Sequence, residues 1–92
     1  MNTLNNNDDD DINDVNEEVE NFYKQVSRNV RLFRKKIKKS QLAFSADVGF
    51  NSVSFYCDCE NNKNGKHFNL IHIFRISKYL DVDINELLKT SS

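Results

Sequence analysis

The 92-residue chain is long enough for one domain with a modest core, and the lack of proline, with only two glycines, argues against an all-β fold. Its net charge of −1 conceals an asymmetry: residues 1–20 hold eight acids and no base, whereas residues 21–92 hold thirteen bases against six acids, a net +7. The acidic start excludes a signal or basic transit peptide, no apolar run approaches the roughly 20 residues of a membrane span, and the basic remainder suits a polyanionic partner.

Residues 1–14 (MNTLNNNDDDDIND) are rich in Asn and Asp and poor in apolar side chains. They bury too little to offset ordering entropy, so a disordered acidic arm is expected, with the folded domain at 15–92. Asp14 and Glu17 have the spacing of a capping box. Val19, Phe22, Val26, Val30, Phe33 and Ile37 then recur at three and four residues, the apolar stripe of a helix over 15–38. Lys24, Arg28, Arg31, Lys35, Lys36 and Lys38 lie off that stripe, mostly in its C-terminal half, where they suit the helix dipole.

Ser40 is placed to cap a short helix over 41–48 with Phe44 and Val48 inward, and Gly49 to end it in the left-handed conformation. Asn51 or Ser52 opens a third helix, 52–60, with Val53, Tyr56, Cys57 and Glu60 on one face. NNKNGK at 61–66 is a loop, with Asn64-Gly65 a tight turn. Asn69 caps a fourth helix, 70–80, whose Leu70, Ile73, Phe74, Ile76, Ser77 and Leu80 form a wide apolar face. Asp83 and Glu86 have capping-box spacing and open a fifth helix, 84–89, that buries Ile84, Leu87 and Leu88. Five helices joined by short connections predict a compact all-α domain.

Catalytic and metal chemistry find little support. Cys57 and Cys59 are two apart on a helix and point to different sides, so they cannot bridge each other. With His67 and His72 they make no zinc-ligand pattern, and free thiols fit a reducing cytoplasm. There is no Ser/His/Asp set, carboxylate pair or phosphate-cradling glycine loop, so no enzyme, metal or cofactor is expected. The seven Phe and three Tyr fall at core spacing rather than forming a stacking platform, and His72 reads as a partly buried helix residue.

The spacing of Ser40-Gln41, Gly49 and the helix that follows is that of a helix-turn-helix. With Arg34 before it, Glu60 closing the third helix, Gly65 in the next loop and FRISKYLDVDINELL at 74–88, the chain resembles the XRE family of lambda-repressor-like, Cro-type regulators. The resemblance covers about residues 26–89. Lys38-Lys39 stand where the family has Gly and an apolar residue, Phe44-Ser45 where Leu-Ala is common, and Asp81 where Gly is usual. From Gly49 to Glu60 there are eleven steps against the usual ten. Anchoring on Glu60 buries Tyr56 and Cys59 and exposes Val53, Ser54, Cys57 and Asp58. Anchoring on Gly49 buries Phe55 and Asp58, and burying an unpaired Asp is costly. The Glu60 register, with one extra residue in the turn, is therefore expected.

The resemblance implies the roles. Gln41, Ser52, Lys63 and Lys66 are expected to contact DNA phosphates, and Arg34 and Glu60 to pair and position the recognition helix. Val53, Ser54 and Asp58 are expected at base edges: Val53 against a thymine methyl, Asp58 as an acceptor for cytosine N4. The implied protein is a cytoplasmic, sequence-specific, repressor-like transcriptional regulator that binds double-stranded DNA as a homodimer, with no membrane association. The alternative is an XRE-like module that binds a protein partner and no specific DNA.

Overall fold

A computed structural model describes residues 8–90, with side chains described from residue 16 onward. The elements are helices α1 (Asp8–Lys36), α2 (Gln41–Val48), α3 (Val53–Asn61), α4 (Leu70–Leu80) and α5 (Asn85–Leu88), with no strand among the described residues. The expected five-helix all-α fold is therefore what forms. The second and fourth helices have the expected bounds, and the others differ by a few residues at their ends.

The largest difference is at the start of α1. Its backbone is already helical at Asp8, so Asp8–Asp14 are not the irregular arm expected of them, and Asp14 lies inside the helix rather than capping it. Residues 1–7 lie outside the described residues. Acidic side chains are favoured in the first turns of a helix, where they face the positive end of its dipole. Composition alone hid that effect. The helix runs for 29 residues, about 43 Å at 1.5 Å per residue, and accounts for most of the molecule's 47 Å length.

α1 packs against α3 and α5, and α2 against α3 and α4. The core between them holds Val26, Val30, Phe44, Val48, Tyr56, Cys59, Phe68, Ile73, Ile76 and Leu87. Two expectations about burial fail. On α1 the apolar stripe outruns the body it packs on: Val26 and Val30 are buried, whereas Val19, Phe22 and Ile37 at its ends are exposed. On α4 the buried face is Ile73, Ile76 and Ser77, and Leu70 and Phe74 point outward. An apolar face wider than the core can cover leaves its margin in solvent. α5 buries Leu87 and half-buries Ile84 and Leu88. Asn29 on α1 holds it by donating to the carbonyls of Leu87 and Lys89, at 2.9 Å each.

The first four helices stop in one way. A residue in the left-handed region follows each: Lys38 (φ 60°), Gly49 (φ 100°), Asn62 (φ 55°) and Asp81 (φ 56°). The next amide then returns to a carbonyl five residues back, Lys39 to Arg34, Phe50 to Ser45, Lys63 to Asp58 and Val82 to Ser77. This is the Schellman arrangement, which satisfies carbonyls a helix end leaves unpaired. Only Gly49 takes that backbone without a steric cost from Cβ. Three starts are capped as expected: Ser40 accepts from the Ala43 amide, Ser52 from Phe55 and Asn69 from His72. His72 returns the last bond by accepting the Asn69 amide on Nδ1 at 3.0 Å. Burial, then the nearby Arg75 charge, lowers the His72 pKa and keeps that acceptor nitrogen unprotonated. The capping box expected of Asp83 and Glu86 does not form: the Asp83 carboxylate accepts from the Asn85 amide, Glu86 turns to Lys89, and Ile84 at the N-cap makes no side-chain cap.

Candidate nucleic-acid interface

The turn between α2 and α3 is four residues, Gly49-Phe50-Asn51-Ser52. Gly49 reverses the chain, and half-buried Phe50 packs its ring against the core, edge-on to Tyr56 at 5.1 Å and to Phe68 at 6.1 Å. α3 therefore leaves the turn with a fixed phase. Tyr56, Cys59 and Glu60 are buried and Val53 and Ser54 are exposed, as the Glu60 register requires. Cys57 and Asp58, expected to be exposed in that register, are half-buried.

Glu60 is the fixed point. Its carboxylate accepts two bonds from the Arg34 guanidinium, Nε to Oε2 and Nη2 to Oε1, both 2.9 Å. Tyr56 donates its hydroxyl to Oε2 at 2.6 Å, and Gln41 donates Nε2 to Oε1 at 2.9 Å. Arg34 also donates to the Lys39 carbonyl at 2.8 Å, which ties the end of α1 to the start of α2. Both charges are buried. Burial is the largest single influence on Glu60 and pushes its carboxyl up. The bonds from Arg34, Tyr56 and Gln41 and the Arg34 charge outweigh it and hold the carboxyl below the ordinary glutamate range. Burial, then the bond to Glu60, raises the Tyr56 phenol, and the bond to Glu60 raises Arg34, so every member keeps its neutral-pH state. Tyr56 and Gln41 were not foreseen as partners of the pair. The signal was present in Tyr56, which sits one turn before Glu60 on the same face.

The other expected contacts are distributed as follows. Val53 and Ser54 form the exposed N-terminal end of α3. Asp58 accepts from Asn64 Nδ2 at 3.2 Å, which ties its carboxylate to the following loop rather than leaving it open for a base. Ser52 is exposed, but its hydroxyl oxygen is engaged as the α3 cap. Lys63 and Lys66 are exposed at the ends of a tight turn. In it Asn64 and Gly65 both have positive φ, and the Lys66 amide returns to the Lys63 carbonyl at 2.9 Å. Gln41 departs most from expectation: its amide is half-buried, donates to Glu60 and accepts from Cys57 Sγ at 3.3 Å.

One cation near the start of α3 was not foreseen. Arg75 on α4 reaches over the turn, where a Cβ placed on Gly49 would lie 4.0 Å from its Nη1. With Asn51, Ser52, Phe55 and His72 it lines an open depression of about 280 Å³ at the entry to α3. Nothing in the local sequence points to Arg75, because only the packing of α4 beside the α2–α3 turn brings it there. The two cysteines are free, Cys59 being buried with its thiol pushed up to about 11, chiefly by burial. Among the described residues, no group of three His, Cys, Asp or Glu could hold a metal ion, and no helix is long and apolar enough to cross a membrane. Comparison with protein-family models, with curated proteins and with solved structures finds no match.

Proposed function

We propose that this protein is a sequence-specific, repressor-like regulator in the cytoplasm that lays α3 in the major groove of duplex DNA and acts as a homodimer. The observation that carries the reading is the unequal treatment of α3: its C-terminal end is pinned through buried Glu60, and Val53 and Ser54 are presented at the other end. A recognition helix needs both a fixed angle and a free N-terminal face. Lys63 and Lys66 in the loop after α3, and Arg75 reaching from α4 to the α3 entry, are exposed cations suited to phosphate. Gln41 contributes mainly by bracing Glu60, and the N-terminal end of α2 beside it suits a phosphate through the helix dipole. A single short helix reads only a few base pairs, which is why two copies are expected on paired half-sites.

A rival reading uses the same face for a protein partner. It is favoured by α3 itself, VSFYCDCEN, which carries no base and two acids. Selection from a random duplex library decides between them. The DNA reading predicts an enriched motif, with Ser54→Ala shifting preference at one base step and Lys66→Ala weakening binding to all sequences alike. No enrichment over input would favour the protein-binding module.

A further inference from the structure

α4 carries an exposed apolar ridge. Leu70, Ile71 and Phe74 are 75 %, 61 % and 54 % exposed, on one face within five residues. Single exposed apolar residues are ordinary, but a contiguous set on a charge-rich domain marks a contact surface. The ridge is the solvent-side margin of the α4 apolar face: Ile73, Ile76 and Ser77 commit the adjoining side to the core and the Asn69–His72 box fixes the helix start. Beside it, between α4 and the entry to α5, lies an open depression of about 330 Å³. Phe74 belongs to both ridge and depression, Lys78 lines the depression beside it, and Ser77, Val82 and Ile84 complete the lining. Lys78 extends over the Phe74 ring, 5.4 Å from its centroid, and exposed Asp81 and Asp83 stand on the far rim.

We infer that this face binds a second copy of the chain. It holds an apolar projection and a depression side by side, and a cation on one side with two carboxylates on the other. A two-fold axis would set the ridge of each copy into the depression of its partner and Lys78 opposite the carboxylates, the self-complementary pattern of an isologous contact. A polyanion is a poor occupant, given the apolar ridge and the acids on its rim. Ridge and depression together involve far fewer residues than the roughly 20–30 a side of a standard interface, so the dimer is weak and concentration-dependent in free solution. Adjacent half-sites on DNA would strengthen it by proximity, and this part alone rests on the DNA-binding reading.

Sedimentation equilibrium of the full chain without DNA is the test. The wild type should show reversible dimerisation. Ile71→Glu and Phe74→Glu should each weaken it at least about tenfold, as central interface residues do. Their circular dichroism should be unchanged, because both side chains are exposed. Lys78→Glu, which leaves the ridge intact, should weaken it too, and added salt should reduce the difference from wild type. Val19→Glu and Phe22→Glu on α1 should leave it unchanged. A wild type that stays monomeric at the highest concentration, or a dimer lost in the α1 variants and kept in the α4 variants, overturns the inference. A normal dimer that binds no DNA removes the proposed function and leaves this surface standing.

Discussion

At its C-terminal end α3 is held by Glu60, whose carboxylate takes bonds from Arg34, Tyr56 and Gln41, on α1, α3 and α2 respectively. At its N-terminal end Val53 and Ser54 stand in solvent beyond the Ser52 cap. The contrast teaches where each kind of residue belongs. Buried polar groups with every partner supplied fix an orientation, whereas an exposed hydroxyl and a valine methyl cost little to expose and remain available to a partner. In the proposed reading, the end that sets the angle needs no contact with DNA, and the end offered to DNA needs little internal support.

Removing one charge at the pinned end should break the contrast most severely. Arg34→Ala or Glu60→Ala leaves a buried charge without its partner and should cost about 3–5 kcal/mol by urea unfolding. The double variant should cost well below the sum of the singles; strict additivity in the cycle would show that the pair is not coupled. Acid should act in the same direction. Folding lowers the Glu60 pKa, so its stabilisation is complete above the ordinary glutamate range and is lost as pH falls through the lower folded value. The unfolding free energies of the wild type and Glu60→Gln should therefore converge as the solution is acidified.

Tyr56→Phe is a finer probe, because it removes one donor from Glu60 and leaves the ring in the core. It should cost about 1–3 kcal/mol, the usual penalty for an acceptor left short in a buried site. A loss well under this, with unchanged melting, would mean that Arg34 and Gln41 suffice to hold the helix end. The smallest effect is expected upstream. Lys38 takes a left-handed backbone where glycine is at ease, so Lys38→Gly should raise stability by about 0.5–1 kcal/mol. It should leave the Arg34 bond to the Lys39 carbonyl in place, and a drop in melting temperature would show that the Lys38 side chain contributes more than its backbone strains.

Much of this arrangement was legible in the residues. Ser40, Ser52, Asn69 and Gly49 signalled helix starts and a stop through their own chemistry, and the pairing of Arg34 with Glu60 followed from the family resemblance. The phase of α3 was settled by the cost of burying Asp58. What escaped was tertiary. Periodicity marks an apolar face but not how far the neighbouring elements reach, so Phe22 and Phe74 were assigned to a core that ends short of them. Local composition made Asp8–Asp14 look unable to order, although they extend a helix begun in earnest by the residues that follow. Arg75 is brought to the α3 entry by packing between helices far apart in sequence.

The central claim, that the basic body with its pinned α3 binds duplex DNA, is tested most directly by titrating full-length protein onto mixed-sequence duplex across a range of salt concentrations. Phosphate contacts release counterions, so the logarithm of the binding constant should fall linearly with the logarithm of salt. A slope near −0.9 per phosphate neutralised is expected, with Lys66→Ala shallower by about one contact. A flat response, or no binding at the lowest salt, would contradict the account and leave the exposed end of α3 to a protein partner.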